Sequence, residues 1–433
     1  MVTRRANQSS VIAVCCALAA LLAVVTTAIA QSAPAVDNST LTGKLIMGYQ
    51  GWFGCPDPAK RQGWMHWKAG DAVTVDMIPD TSELSPEEKC DSGLRTTEGR
   101  PIYFFDSGNP KTVDRHFAWM QQYEIPGVAL QKFASQILRP ETQARADLIL
   151  HNVKQAAEAH GRVFFLMYDL SGTTDDKLDG LVQDWIRLNR DGVSSSRAYL
   201  RHKGHPVLGL WGIGFNGRPL TPGGITAFID KLRAESAAFG GVTFVAGVPA
   251  GWRTGTGDGS DDPGWKNVWP RLDVISPWTV GRYADDRGSD NYRAKFIEPD
   301  LAESRSIGVD YMPVIFPGFS WSNLMRARHL DDKAVPNQIP RRCGAFYWRQ
   351  ARNVLAAGAN MAYNAMFDEV DEGTAMFKTV TSVTVDKNPT SFVTIDADSC
   401  AAPNDLYLEL AKTVSRSIQK GTQLPISFTP IER

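Results

Sequence analysis

Several common sources of function are missing from this sequence. Lysine and arginine total 46 against 47 acids, a formal charge of −1. No basic field exists to hold a phosphate backbone, so nucleic acid is not an expected partner. Histidine is scarce, at 7 residues, and no H-E-x-x-H occurs. No cysteine lies in a C-x2-C or C-x2-H spacing, so no metal is expected. The first apolar run leads into Gln50-Gly51-Trp52-Phe53-Gly54-Cys55-Pro56, which holds neither a G-x-G-x-x-G nor a Walker loop. The usual phosphate cradle of a nucleotide-binding sheet is absent there, and no cofactor is expected. Serine hydrolysis lacks its G-x-S-x-G elbow, since Ser320 sits in Gly-Phe-Ser-Trp-Ser.

The N-terminus is an address. Arg4 and Arg5 precede an uncharged apolar run, Val11–Ala30, that ends in Ala28-Ile29-Ala30. A charged start, an apolar stretch and an A-x-A end predict a secretory signal peptide over residues 1–30, followed by a short linker, 31–40. An uncleaved anchor is the alternative, because a spanning helix needs ~20 apolar residues. Two threonines and the A-x-A favour cleavage, hence a secreted protein with no stable membrane association. Cys15 and Cys16 leave with this segment. Cys55, Cys90, Cys343 and Cys400 remain, an even number in an oxidising compartment, which predicts two disulfides. Cys55–Cys90 and Cys343–Cys400 are the preferred pairs because each closes a local loop. Asn38-Ser39-Thr40 is a glycosylation sequon.

Apolar, β-rich runs recur at Leu45–Tyr49, Val128–Phe133, Val163–Tyr168, Val207–Trp211, Thr243–Val248, Val274–Pro277, Tyr311–Phe316 and Met361–Phe367. Most are continuous rather than alternating, as strands buried on both faces should be. Helical spacing fills most gaps, at Thr112–Tyr123, Thr142–His160, Asp175–Leu188, Thr221–Phe239, Asn291–Ile307 and Ala345–Ala357. A last helix is expected at Asn404–Lys420. Thr221-Pro222 is a capping residue followed by proline in the first turn. Strands alternating with helices predict βαβ units, and eight of them predict one (β/α)8 barrel over residues 41–433, the α/β class. An open doubly wound sheet is the rival, and it would usually carry the missing glycine-rich loop. The stretch Gly54–Asp106 reads as an elaborated, disulfide-closed first loop.

Function in a barrel gathers where the strands end. Twelve tryptophans are present, and several sit at strand ends beside glycine or proline. The candidate ligand-binding residues are Tyr49, Trp52, Gln131, Tyr168, Asp169, Trp211, Trp252, Arg253, Trp278, Arg282, Tyr283, Trp321 and Asp368. Sugars pair apolar C–H faces with hydroxyl rims, so aromatic rings set among Gln, Asp and Arg suit a saccharide. Each has a blander reading. Arg253 and Arg282 could pair with Asp258, Asp285 or Asp286, and Asp169 could tie down a neighbouring loop. Trp64-Met65-His66-Trp67 reads as a small satellite core, and Trp119 and Trp185 as helix-borne core residues.

The sharpest signal is Asp368-Glu369-Val370-Asp371-Glu372, four carboxylates in five residues directly after an apolar run. Burying them together is costly unless the charge is used or solvated. Glycoside cleavage needs two carboxyls of different proton affinity, and Glu369 and Glu372 are the catalytic candidates. A solvated loop capping the next helix is the alternative.

The segment Phe367–Thr374, Phe-Asp-Glu-Val-Asp-Glu-Gly-Thr, resembles the Phe-Asn-Glu-Trp-His-Glu-Gly-Thr segment of glycoside hydrolase family 99, the endo-α-1,2-mannosidase-like enzymes. Met47–Phe53, Gly127–Phe133 and Phe165–Asp169 resemble secreted family 71/99-like proteins often described as xylosidase/arabinosidase-like. The resemblance runs from about Leu41 to Lys378. It implies a (β/α)8 barrel and a retaining, metal-independent α-glycosidase. It further implies Glu369 as base on the sugar 2-hydroxyl, through an epoxide-like intermediate, and Glu372 as general acid/base. The family's Trp and His are Val370 and Asp371 here, so the sugar is left open. Asp371 adds a negative charge expected to raise the Glu372 pKa. The expected partner is a poly- or oligosaccharide bound by a monomer. A catalytically silent carbohydrate-binding barrel, or an α-1,3-glucanase or xylosidase/arabinosidase, are the alternatives.

Overall fold

Eight of these apolar runs become the strands of one parallel sheet that closes on itself. The computed structural model describes residues 1–2, 35–386 and 391–429. The expected signal segment, its cleavage site, Cys15 and Cys16 lie outside the described residues. The strands are β1 (Leu45–Tyr49), β2 (Gly127–Phe133), β3 (Val163–Asp169), β4 (His205–Trp211), β5 (Thr243–Val248) and β6 (Val274–Pro277). They pair in chain order. The eighth strand, β8 (Ala362–Asn364), pairs with β1, Ile46 opposite Tyr363.

The seventh passage differs from its expected continuous strand. It appears as Asp310–Tyr311 on β6 and Val314–Ile315 on β8. Pro313 between them has no N–H to give a ladder, yet its carbonyl accepts from Tyr363 N at 2.9 Å, and Met312 N donates to Ile275 at 2.9 Å. One passage thus serves both neighbours and closes the barrel. All seven residues of β3 are buried, as are all of β1, β5 and β6, which is why these runs lack alternation.

Helices return the chain between strands. Pro110–Gln122 starts on Asn109, whose side chain accepts from Lys111 N, and Pro222–Ser236 starts on Thr221, whose side chain accepts from Gly224 N. Pro140–His160, Leu178–Arg190, Ala345–Ala356 and Leu406–Lys420 follow their predicted spans closely. The helix expected at Asn291–Ile307 is instead Asp286–Tyr292, a π-helical turn at Arg293–Ile297 and Glu298–Ser306. Pro299, which cannot donate back along the helix, lies just past that turn. After β5 only 3-10 turns form, Pro263–Asn267 and Trp269–Arg271.

The long first loop is less irregular than expected. Lys68–Ala69 pairs with Ala72–Val73, and Lys89–Arg95 with Pro101–Phe105. Both expected disulfides are present, Cys55–Cys90 and Cys343–Cys400. Arg145 fastens this loop to Pro140–His160 by donating to Phe53 O at 2.9 Å and Asp106 Oδ1 at 2.8 Å. Among the described residues no helix is long and apolar enough to cross a membrane.

Candidate active site

Residues 368–375 follow β8 as a loop with five of its carbonyls hydrogen-bonded, those of Glu369, Val370, Glu372, Gly373 and Ala375. Asp368 is fully buried and accepts from Gln50 N (2.8 Å) and Gly51 N (2.9 Å), joining the ends of β8 and β1. The Val370 carbonyl accepts from Asp76 N and Met77 N of the first loop. The Glu372 carbonyl accepts from Ser320 N. Buried Arg341 donates to Gly373 O (2.8 Å) and Ala375 O (2.7 Å) while lying over the Tyr407 ring. Asp76 ties in the loop after the seventh strand, accepting from the Ser320 hydroxyl, Ser322 N and Asn323 N. Gly373 adopts φ +65°, and a Cβ there would sit 2.7 Å from Ser320 N, so glycine is required. Such a loop holds its side chains in place before any ligand arrives.

Glu369 is 4% exposed. Its carboxylate accepts from Gln50 Nε2 at 2.8 Å and from the Thr374 hydroxyl at 2.5 Å. Burial, then the negative charges of Glu372 and Asp371, push its proton affinity up, while those two hydrogen bonds favour the charged form. Glu372 is half-buried. Burial first, and the Asp371 charge second, raise its pKa from 4.5 to about 7, with Arg328 acting against them. The predicted effect of Asp371 is present but is the smaller cause. Burial and mutual repulsion thus raise the proton affinity of both carboxyls together. Two donors aimed at Glu369 oppose that rise, and for Glu372 the opposing influence is Arg328. Asp368 is raised to about 6 by burial.

Other strand ends carry aromatic and polar residues. Trp52 is partly buried and stacks on Phe133 (5.3 Å between ring centroids) and on His66 (3.9 Å, planes 7° apart). Gln131, Trp52 and Gln50 line a cavity of about 450 Å³ that runs toward Leu148 and Ile149 of the following helix. Trp211 and Trp278 meet edge to face at 5.5 Å, with Arg218 over the Trp211 ring. Trp321 is partly buried beside Phe319. The indole N–H groups of Trp52, Trp211 and Trp321 are buried without an acceptor. Asp169 is 6% exposed, accepts from Ser171 N and is raised by burial.

Other predicted ligand residues lie elsewhere, each for a visible reason. Tyr49 is fully buried outside the barrel wall, its hydroxyl 2.9 Å from His116 Nδ1. Tyr168 points the same way and donates to Asp184, which Lys132 and Arg187 also hold. In a strand, successive side chains face opposite sides, and these two are on the helix side. Trp252 and Arg253 both donate to Asp300, whose pKa burial lifts to about 6. Arg282 pairs with Asp258, as the blander reading had it, and Tyr283 donates to Gln350 at 3.0 Å inside an aromatic cluster. Asp368 spends both oxygens on backbone N–H groups. Trp119 and Trp185 are core, as expected.

His66 is the residue that sequence reasoning misplaced. Only part of its segment is core: Trp67 is fully buried on Phe104, ring centroids 4.3 Å apart. His66 takes φ +58°, which turns its ring back over Trp52 and brings Nδ1 within 3.6 Å of Asp371 Oδ2. No periodicity could mark that turn. Gln50 had a signal, its place directly after β1 in Gly48-Tyr49-Gln50-Gly51-Trp52.

No protein-family model matches the sequence, and no curated protein matches it. Solved structures do match in fold. The GH99 endo-alpha-mannosidase from Bacteroides thetaiotaomicron in complex with bis-tris propane is 13% identical, with TM-score 0.61, over 89% of this chain and 99% of that one. The same enzyme in a second structure is 14% identical, with TM-score 0.58, over 88% and 99%. At such identity the likeness is one of fold, and it fixes the class: a (β/α)8 barrel built like that of a family 99 enzyme. The likeness of fold covers nearly the whole chain.

Proposed function

We propose that this protein is a secreted, monomeric glycoside hydrolase that cleaves an α-linked poly- or oligosaccharide with retention, using Glu369 and Glu372. One observation carries the reading. Both carboxyls sit on a loop locked by Asp368, Arg341 and the Val370 and Glu372 carbonyls, with Glu372 lifted to about 7 and two donors aimed at Glu369. The fold shared with an endo-alpha-mannosidase supports a mannoside as the first substrate to try.

The chemistry runs in two steps. Glu369 takes the proton of the sugar 2-hydroxyl, whose oxygen attacks the anomeric carbon. Glu372 gives its proton to the departing glycosidic oxygen. Water then opens the strained 1,2-ring, losing a proton to Glu372 as Glu369 returns one to the 2-oxygen. Two inversions leave the anomeric configuration retained. Gln50 and Thr374 hold Glu369 in register, and Trp211, Trp278 and Trp321 offer rings and indole N–H groups to the sugar.

The test is a panel of α-mannan, α-1,3-glucan and arabinoxylan oligosaccharides, read by reducing ends released and by binding. Release from one of them supports the reading. Binding without release, unchanged in Glu369→Gln and Glu372→Gln, makes the protein a carbohydrate-binding barrel instead. Bis-tris propane, present with one Bacteroides structure, is a polyol amine expected to compete with substrate at the paired carboxylates.

A further inference from the structure

The family resemblance places an imidazole at position 371, where this chain has Asp371. An imidazole is nevertheless present, carried by another loop. His66 lies flat on Trp52 at 3.9 Å, with Nδ1 3.6 Å from Asp371 Oδ2 and 38% of its side chain exposed. Asp371 is 2% exposed, and its other oxygen, Oδ1, is buried without a hydrogen-bond partner. Trp52 Nε1 is a buried donor in the same condition. Buried polar atoms are nearly always paired, so an unpaired acceptor and an unpaired donor on the two residues that His66 adjoins point to a ligand that supplies both. Adjacent hydroxyls of a pyranose do so, one donating and one accepting.

We propose that His66, Asp371 and Trp52 form a specificity-determining cluster that grips two neighbouring hydroxyls of a sugar unit beside the reacting bond. The cluster rests on the glycosidase reading of this site and adds to it which residues choose the sugar. Asp371 Oδ1 accepts from one hydroxyl and Trp52 Nε1 donates to the other. His66 covers the Trp52 face, and its ring becomes the surface the sugar meets. The first loop supplies that ring because the disulfide Cys55–Cys90 and the Gly54–Met65 bridge hold its base, and the left-handed turn at His66 aims it inward.

The experiment uses the full secreted chain and three variants, with methyl α-mannoside, methyl α-glucoside and methyl α-xyloside as binding probes and the cleaved oligosaccharide as substrate. His66→Gly removes the ring yet suits the left-handed backbone, and His66→Asn keeps both that backbone and a donor near Asp371. Asp371→Asn keeps shape and removes the charge. Thermal unfolding checks that each variant folds. The expected result is that His66→Gly and Asp371→Asn raise KM and the Kd of the preferred glycoside at least tenfold, with a smaller effect on kcat. His66→Asn should recover part of the loss, and the preference among the three glycosides should flatten. Variants that bind and discriminate like the parent overturn the cluster, even if the parent cleaves its substrate. If the parent binds a glycoside without cleaving it and the variants lose that binding, the cluster stands and the hydrolase reading falls. A parent that binds none of the glycosides overturns both.

Discussion

Replacing Glu372 with glutamine should stabilise the protein at high pH while disabling it. The carboxyl titrates at 4.5 when unperturbed and at about 7 in the fold. A raised carboxyl favours the folded state while protonated. Its contribution is fully present below the unfolded value and is lost as pH climbs through the folded one. At about 1.4 kcal/mol per unit, the parent at pH 9 is about 3 kcal/mol less stable than it would be with a neutral group there. Unfolding entropy of about 2.1 cal/mol/K per residue over about 400 residues converts this to roughly 4 °C. Glu372→Gln should therefore melt with a difference from the parent that is small at pH 4 and about 4 °C more favourable at pH 9. Any pH-independent effect of the amide cancels between the two. Scanning calorimetry at both pH values measures it. A difference that stays flat, or reverses, refutes the claim that this carboxyl is held at high proton affinity.

Gln50 gives a separate handle on the pair. Its hydrogen bond favours the charged form of Glu369, so Gln50→Ala should shift the acid limb of the pH–rate profile to higher pH. Loss of a bond of ~1.5–3 kcal/mol to a charged group should lower turnover roughly tenfold or more. Arg341→Met leaves the Gly373 and Ala375 carbonyls unpaired in a buried place, so denaturant unfolding should show a loss of roughly 2–4 kcal/mol, with reduced activity.

The barrel was legible because its strands are buried on both faces, which turns each into a short apolar run. The run at Met361–Phe367 led straight to Glu369 and Glu372 for the same reason. Legibility ended where a side chain's direction decides. Tyr49 and Trp52 are three residues apart at the end of one strand, yet the first reaches His116 of a helix and the second stacks on His66 beside Asp371. Trp252 and Arg253 have the composition of a sugar site and serve a buried Asp300 from a helix distant in sequence. His66 enters the site through one left-handed residue, and the partners that fix the acidic loop, Asp76, Ser320 and Arg341, come from loops far apart along the chain.

The most direct measurement is NMR of the first product from an α-linked oligosaccharide, made with the parent, Glu369→Gln and Glu372→Gln. The account requires the parent to release the α-anomer first, and both variants to fold but turn over at least a thousandfold more slowly. A β-anomer first, or undiminished release by either variant, contradicts it.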